Sequence, residues 1–216
     1  MKTTSRLIVL CHTPFGENTV VLHTLSREWG RRGFLVRVGK AAPMALFLPL
    51  NILEAEVTEN PRSTLWRAAS ITPALPLGGI RNNLYKNTMT LFLSEVLFRT
   101  LKEDACEAGL FEWCERAICT LDALQGDWSN FHLRFLIELA GALGFRPGPD
   151  DLAPFAGKHI ETLRTLANAG FEETMLLPLS GQTRNELCDS LLRYLEYHTE
   201  TAIRVRSLAV LRELFA

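Results

Sequence analysis

Hydrophobic residues follow different patterns in the two parts of the chain. Residues 1 to about 75 contain short apolar or alternating runs, whereas helical periodicity begins after residue 79. In the second part, the runs 81–102 and 130–144 are apolar on nearly every side, which is typical of helices surrounded by protein. We therefore expect these two helices to form the centre of a helical region, with the amphipathic segment 110–124 packed against them.

Five segments of the N-terminal part have the pattern of β-strands. Residues 53–58 alternate between apolar and polar side chains, as expected for a strand with one buried face. The predicted strands cover residues 6–12, 19–25, 34–38, 46–58 and 63–71. Five short strands without a crossover helix predict a small antiparallel barrel, for which a five-stranded OB fold is the economical choice and an SH3-like barrel the alternative.

A segment rich in proline and glycine, residues 72–79, separates the strands from the helices. The predicted fold class is therefore α+β, with an N-terminal OB-fold barrel at residues 1–76 and an all-α domain at residues 77–216. Ser180 is in position to cap a long helix, and a short last helix is expected at Ser207–Phe215.

Local signals predict how some of the helices begin, end and pair their charges. Ser129 or Asn130 is expected to cap the second buried helix, and Gly144 to end it in a left-handed conformation. Glu95–Arg99 and Arg134–Glu138 have the i,i+4 spacing of ion pairs on solvated helix faces.

Composition excludes several classes of protein. The 216 residues are 47% hydrophobic and 22% charged, which is ordinary for a globular protein. No apolar run approaches the roughly 20 residues of a membrane helix, and the first apolar run is too short for a secretory signal, so we expect a cytoplasmic protein. The five cysteines form no C-x-x-C pair, which argues against a zinc finger or a disulfide framework.

Catalytic motifs are missing from the sequence. It contains no phosphate-binding loop, no dinucleotide fingerprint, no nucleophile elbow and no zinc-protease motif. Cys11 and His12, with His23, are candidates for a nucleophile and base, but adjacent residues on a strand point to opposite faces. The sequence therefore favours a protein that is not an enzyme.

Positive charge is concentrated at the N-terminal end of the chain. Residues 1–40 contain seven cations and two carboxylates, although the whole chain has a net charge of −1. Five of these cations lie within fourteen residues: Arg27, Arg31, Arg32, Arg37 and Lys40. On a barrel of this type they predict a groove that binds nucleic-acid phosphates, with Trp29 and Phe34 as nearby aromatic residues that could instead lie in the core. A solubilising turn is the alternative.

The order and spacing of several segments resemble the RecO family, in the short, zinc-free form of Bacteroides-like bacteria. The segments include FLPLNILEAEV, RNNLYKNTMTLFLSEVLFRTLKE, NFHLRFLIELAGALGF and SLAVLRELF. The resemblance implies an OB domain followed by a helical bundle. It also implies a DNA repair and recombination mediator that binds single- and double-stranded DNA, anneals strands and is associated with the nucleoid.

The resemblance implies protein partners as well. RecO proteins act with RecR, contact the acidic C-terminal tail of the single-strand binding protein SSB, and help to load RecA on SSB-coated strands. The family's basic run falls on residues 30–40, and the SSB-tail site falls in the helical part, where Lys86, Arg99 and Arg134 are candidates. After residue 145 only Cys188 remains, so no zinc or other cofactor is expected. The alternative function is a protein-only adaptor that binds acidic peptide tails.

Overall fold

Five strands form at the N-terminal end of the chain in this computed structural model, which describes residues 2–148 and 150–214. The strands are β1 (Lys2–Gly16), β2 (Thr19–Ser26), β3 (Gly30–Arg37), β4 (Ile52–Thr58) and β5 (Trp66–Pro73). They close a barrel in the order β1-β2-β3-β5-β4, in which β3 and β5 are parallel and the other pairs of neighbouring strands are antiparallel. This is the topology of an OB fold, so the predicted fold class is confirmed.

The barrel core is built from the alternating positions that the sequence indicated. Leu53, Ala55 and Val57 of β4 are buried, whereas the residues between them are exposed. Phe34 is fully buried with them, and Trp29 packs against the same cluster, 5.3 Å from the ring of Trp66. Both candidate aromatic residues of the sequence analysis therefore contribute to the core.

The predicted strand at residues 46–58 was wrong in its first half. Met44–Phe47 instead form a 3₁₀ turn, and β4 begins at Ile52. Proline lacks the backbone N–H that a strand ladder needs, and Pro43 and Pro49 flank this turn. The turn directs Phe47 into the barrel, where it is fully buried.

The remaining chain is helical. The helices are α1 (Gly78–Arg81), α2 (Leu84–Thr100), α3 (Leu110–Ala123), α4 (Phe131–Ala142), α5 (Ala153–Ala156), α6 (Ile160–Asn168), α7 (Phe171–Leu176), α8 (Gly181–Thr199) and α9 (Ser207–Leu214), with a 3₁₀ turn at Gly157–His159. Most residues of α2 and α4 are buried, as their apolar sequences predicted. Of the predicted last helix, Phe215 lies outside the described residues.

Contacts divide the chain into two units. The first contains the residues up to Gly78 together with Leu101–Cys119. The second contains Gly79–Thr100 and the chain from Thr120 onward. The segment that follows α2 therefore folds with the barrel, although it is separated from β5 by a complete helix.

The predicted helix ends agree with the structure in position but not always in mechanism. Ser180 caps α8, because its hydroxyl oxygen accepts the N–H of Thr183 at 3.1 Å. Gly144 follows α4 with a φ of +91°, as expected. Asn130 is the N-cap of α4, but its amide donates to the carbonyls of Thr174 and Leu177 instead of capping the helix. Its side chain therefore connects α4 to α7 and to the residue that follows α7.

Glu95 has a different role from the predicted ion pair with Arg99. Its carboxylate accepts the N–H groups of Arg206 and Ser207, each at 3.0 Å, and the Ser207 hydroxyl at 2.7 Å. Ser207 is the first residue of α9, and the first N–H groups of a helix have no partner within it. Glu95 on α2 therefore caps α9 across the second unit.

Because Glu95 caps α9 as a carboxylate, the free energy of unfolding is expected to decrease at acid pH. Burial alone would raise the pKa of Glu95, but the hydrogen bonds from Arg206 and Ser207, together with the charge of Arg99, lower it. A carboxyl group with a lower pKa in the folded state stabilises the protein above its unfolded pKa, about 4.3, and loses this contribution as the pH falls through the folded value.

We expect the Glu95→Gln variant to unfold about 2–4 °C below the wild type at pH 7. The difference should shrink below pH 4, where the wild-type carboxylate becomes protonated. Thermal unfolding of both proteins across pH 3–7 measures this effect. A constant difference over the whole range would show that the charge of Glu95 contributes nothing.

Candidate nucleic-acid interface

The five predicted cations lie at two ends of the β2–β3 hairpin. Arg27 follows β2, and Arg31 and Arg32 begin β3; we call this group the turn end. Arg37 ends β3 and Lys40 lies in the following loop; we call this pair the loop end. Six residues of strand, about 20 Å at 3.3 Å per residue, separate Arg31 from Arg37. The structure therefore forms two small groups of cations instead of one cluster.

Acidic residues of the segment 101–119 neutralise Arg27 at the turn end. The Nε atom of Arg27 lies 2.9 Å from Oε1 of Glu112, and one Nη atom lies 3.9 Å from Glu115. Glu115 also pairs with Arg6 of β1 at 2.8 Å. The guanidinium of Arg27 covers the ring of Phe111 at 5.3 Å. This arginine is therefore held by α3.

The side chain of Arg32 is held more tightly than that of Arg27. It is 13% exposed, lies 2.6 Å from a carboxylate oxygen of Asp104 and stacks 3.9 Å from the ring of Trp66. The N–H of Asp104 donates to the carbonyl of Arg31, and Arg31 pairs with Glu103 in a short parallel bridge. The turn end is thus a surface of the first unit on which Arg27 and Arg32 form ion pairs with acidic side chains.

Gly30 allows this close approach. A Cβ atom at this position would lie 1.9 Å from the carbonyl oxygen of Ala105, and the φ of +62° is one that glycine adopts readily. Any side chain here would displace the acidic segment from the hairpin. The sequence R-E-W-G-R-R therefore encodes both the charges and the contact that covers them.

The loop end is open. Arg37 and Lys40 are both exposed. In the strand register Arg37 is opposite Thr19, which is opposite Gly16 at the end of the β1–β2 hairpin. Phe15 lies at this hairpin end and is 60% exposed. An exposed aromatic residue on the same end of the barrel as two cations can stack on a base while the cations bind phosphates.

Sequence reasoning missed Phe15. Phe15 lies between Pro14 and Gly16, two residue types that mark turns, and an aromatic residue at a turn tip has little chance of burial. That position was the available signal.

The surroundings of His23 favour its neutral form. Burial lowers its pKa, the charge of Arg31 lowers it further, and Glu103 acts in the opposite direction. Its Nε2 atom lies 3.1 Å from the hydroxyl of Thr13. The cations available to a polyanion on this side of the barrel are therefore arginine and lysine side chains.

The three predicted SSB-tail residues occupy different environments in the second unit. Lys86 is buried, and its ammonium donates to the carbonyls of Asp122 and Leu124 where α3 ends. Arg134 is paired with Glu138 at 2.7 Å as predicted, but its side chain is 11% exposed and also donates to the carbonyl of Ala169. This pair was predicted on a solvated face, and that part of the prediction was wrong.

Arg99 is the exposed member of the three, with its guanidinium 5.9 Å from the ring of Phe98. Thirteen residues of α2 separate it from Lys86, which is about 20 Å at 1.5 Å per residue. The structure does not bring these two cations together.

Within residues 2–148 and 150–214, no group of three His, Cys, Asp or Glu residues is arranged to hold a metal ion. Over the same residues, no helix combines the length and the apolar composition that crossing a membrane would require.

Comparison with known proteins shows which proteins the chain resembles. A family model described as "Recombination protein O C terminal" matches residues 81–151. The DNA repair protein RecO of Phocaeicola vulgatus is 29% identical, and the alignment covers 97% of each chain. The chain is similar to RecO proteins over nearly its full length. RecO of Flavobacterium johnsoniae is 28% identical over the full length of both chains, and RecO of Bacteroides fragilis is 28% identical over 96% of this chain and 88% of the relative.

These similarities confirm the resemblance to RecO proteins noted in the sequence. The matched RecO C-terminal region begins in α1 and ends before α5, so it contains α2 and α4, the two helices that the sequence predicted to be surrounded by protein. The relatives cover the barrel as well, because their alignments span nearly the whole chain.

Proposed function

We propose that this protein binds DNA and acts in DNA repair and homologous recombination, without catalysing a reaction itself. The observation that carries the proposal is the similarity, over nearly the full chain, to proteins named DNA repair protein RecO. The OB barrel supports it, since barrels of this type hold nucleic acids on one strand face and the adjoining loops. A protein with this function would be cytoplasmic and associated with the nucleoid.

The loop end is proposed to be the main DNA-binding surface of the barrel. Arg37 and Lys40 are exposed and would contact phosphates, and Phe15 would stack on a base of a single strand. Phosphate contacts carry no sequence information, so affinity should fall steeply with salt and depend little on sequence. Duplex DNA offers the same phosphates, which supports binding of both forms.

The turn end is proposed to contribute less to DNA binding. Phosphates that approach Arg27 or Arg32 would have to displace the carboxylates already paired with these side chains. The acidic residues of the segment 101–119 therefore lower the effective positive charge of the barrel.

Removing two of these carboxylates should strengthen DNA binding. In the Glu112→Gln/Glu115→Gln variant, Arg6 and Arg27 lose their ion pairs, and we expect affinity for single-stranded DNA to rise about three- to tenfold near 50 mM salt. Exposed ion pairs contribute only about 0–1 kcal/mol, so the variant should remain folded. Fluorescence anisotropy with a labelled oligonucleotide measures the change.

The matched control is Glu172→Gln/Glu200→Gln, which removes the same charge from exposed positions of the second unit. An equal rise in the control would show that net charge alone is responsible. No rise in either variant would show that Arg6 and Arg27 are too far from the bound DNA.

The finer steps of the proposed function involve other proteins. We infer that the protein anneals complementary strands, acts with RecR, binds the C-terminal tail of SSB and thereby helps to load RecA. For the SSB tail, Arg99 is the candidate that is exposed, whereas Lys86 and Arg134 would first have to leave their carbonyl and carboxylate partners.

Titration of labelled single strands and duplexes with the protein at rising salt tests the proposed function. The proposal is supported if the protein binds DNA near 50 mM salt and the logarithm of the binding constant falls linearly with the logarithm of the salt concentration. No binding under that condition, in which counterion release favours complexes, would overturn it. Annealing of complementary strands and binding of an SSB-tail peptide, with Arg99→Glu as the variant, test the finer steps.

A further inference from the structure

A groove of about 540 Å³ opens in the barrel wall beside the loop end. Its walls are the end of β3 with the loop to Ala42 on one side, and residues 68–72 of β5 on the other. Its size falls within the roughly 300–1,000 Å³ of sites that bind small molecules. Val36, Ala68 and Ile71 are buried beneath it and give it an apolar floor.

The groove exists because β3 and β5 separate soon after they meet. Their parallel pairing consists of Phe34 with Trp66 and Leu35 with Arg67. Beyond these pairs the β5 wall is made of the small residues Ala68, Ala69 and Ser70, which leave the space unfilled.

Backbone geometry fixes both walls. The pairing of β4 with β5 is irregular between Glu54 and Glu56, and Ser70 adopts a φ of +51° there, as in a strand bulge. On the opposite side Gly39 and Ala42 exchange two backbone hydrogen bonds of 3.2 and 3.1 Å. The groove is therefore formed before any ligand arrives, which reduces the entropic cost of binding.

Charge differs between the two rims. Arg37 and Lys40 belong to the β3 rim, whereas Glu56 accepts a hydrogen bond from Ser70 at the β5 rim. An anion is attracted to the first rim and repelled from the second. A ligand with one anionic side and one apolar, flat side matches this arrangement.

We propose that this groove holds one unpaired nucleotide of single-stranded DNA. The phosphate lies against Arg37 and Lys40, the base enters the apolar space between β3 and β5, and the Ser70 hydroxyl faces the edge of the base. The inference rests on the proposed DNA-binding function and adds to it a preference for single strands. The bases of a duplex are stacked and paired, so they cannot enter a groove in the barrel wall.

The Ala69→Leu variant tests the groove directly. It places a larger apolar side chain in the β5 wall at an exposed position and leaves both cations in place. We expect affinity for an oligo-dT strand to fall about tenfold, the size typical of one lost base contact, and affinity for a blunt duplex to change less than about twofold. Thr4→Leu, at an exposed position of β1 outside the groove lining, is the control and should change neither.

An oligonucleotide without bases gives a second readout. The wild type should bind an abasic strand about tenfold more weakly than oligo-dT, and Ala69→Leu should bind the abasic strand as the wild type does. If the variant weakens abasic and dT strands equally, the base does not enter the groove and the inference is overturned. Circular dichroism and thermal unfolding check that Ala69→Leu is folded.

Two further outcomes separate the inference from the function on which it rests. If the wild type binds DNA but Ala69→Leu has no effect on oligo-dT, the groove is not the nucleotide site and the DNA-binding function stands. If the wild type binds no DNA, and a polyglutamate peptide is bound by the wild type but not by Ala69→Leu, the occupant is an acidic peptide and both proposals fail.

Discussion

Reversing the charges of Arg37 and Lys40 together should weaken binding to single-stranded DNA by at least about 60-fold at 50 mM salt. For a single strand, the binding constant rises with roughly the 0.7 power of the dilution of salt for each phosphate contact. Two contacts therefore increase affinity about 60-fold between 1 M and 50 mM salt, and this increase is lost when both cations are replaced. The repulsion of the new carboxylates adds to it. The salt dependence of the Arg37→Glu/Lys40→Glu variant should also decrease, by about 1.4 in the logarithmic slope.

The measurement is fluorescence anisotropy at several salt concentrations. The control is Arg204→Glu/Arg206→Glu, which changes the net charge by the same amount at exposed positions of the second unit. If both variants lose affinity equally, DNA is attracted by overall charge and the loop end is not a binding site. Since Arg37 and Lys40 are exposed, the variant should unfold at nearly the wild-type temperature.

Replacing Lys86 with methionine should cost about 2–4 kcal/mol of unfolding free energy. Lys86 is buried and its ammonium donates to two carbonyls, those of Asp122 and Leu124, where α3 ends. Burial lowers the pKa of Lys86, and the nearby charge of Asp122 partly opposes this. Methionine keeps the length of the side chain but removes the donor, which leaves two helix-end carbonyls without this partner.

Urea denaturation measures the loss, and Lys102→Met, at an exposed position just after α2, is the control. The same experiment addresses the partner-binding prediction for Lys86. If Lys86→Met lost affinity for an SSB-tail peptide at unchanged stability, the residue would act in docking and the structural role would be wrong.

The barrel could be predicted from the sequence because its strands carry their own signals. Leu53, Ala55 and Val57 alternate with polar residues, and the turns between strands contain glycine and proline. The full extent of β1 could not be predicted, because its last five residues are exposed and pair with β2 alone. Such a hairpin arm is stabilised by strand pairing, which periodicity does not detect.

The cations could be located in the sequence, but their surroundings could not. Arg27 and Arg32 meet Glu112 and Asp104, which lie more than seventy residues later in the chain and beyond a complete helix. The same limit applies to Glu95, whose partners begin α9. Local spacing predicted a pair with Arg99, and a tertiary contact between distant segments took precedence.

The first unit is assembled from two stretches of chain, and this has a consequence for synthesis on the ribosome. Residues up to Gly78 emerge first, but Leu101–Cys119, which supplies the acidic neighbours of Arg27 and Arg32, emerges only after all of α2. Because the ribosome adds about 5–20 residues per second, the segment 101–119 is synthesised several seconds after the strands of the barrel. During that interval the arginines of the barrel are not neutralised, and a nascent chain should adhere to polyanions such as ribosomal RNA more strongly than the finished protein does.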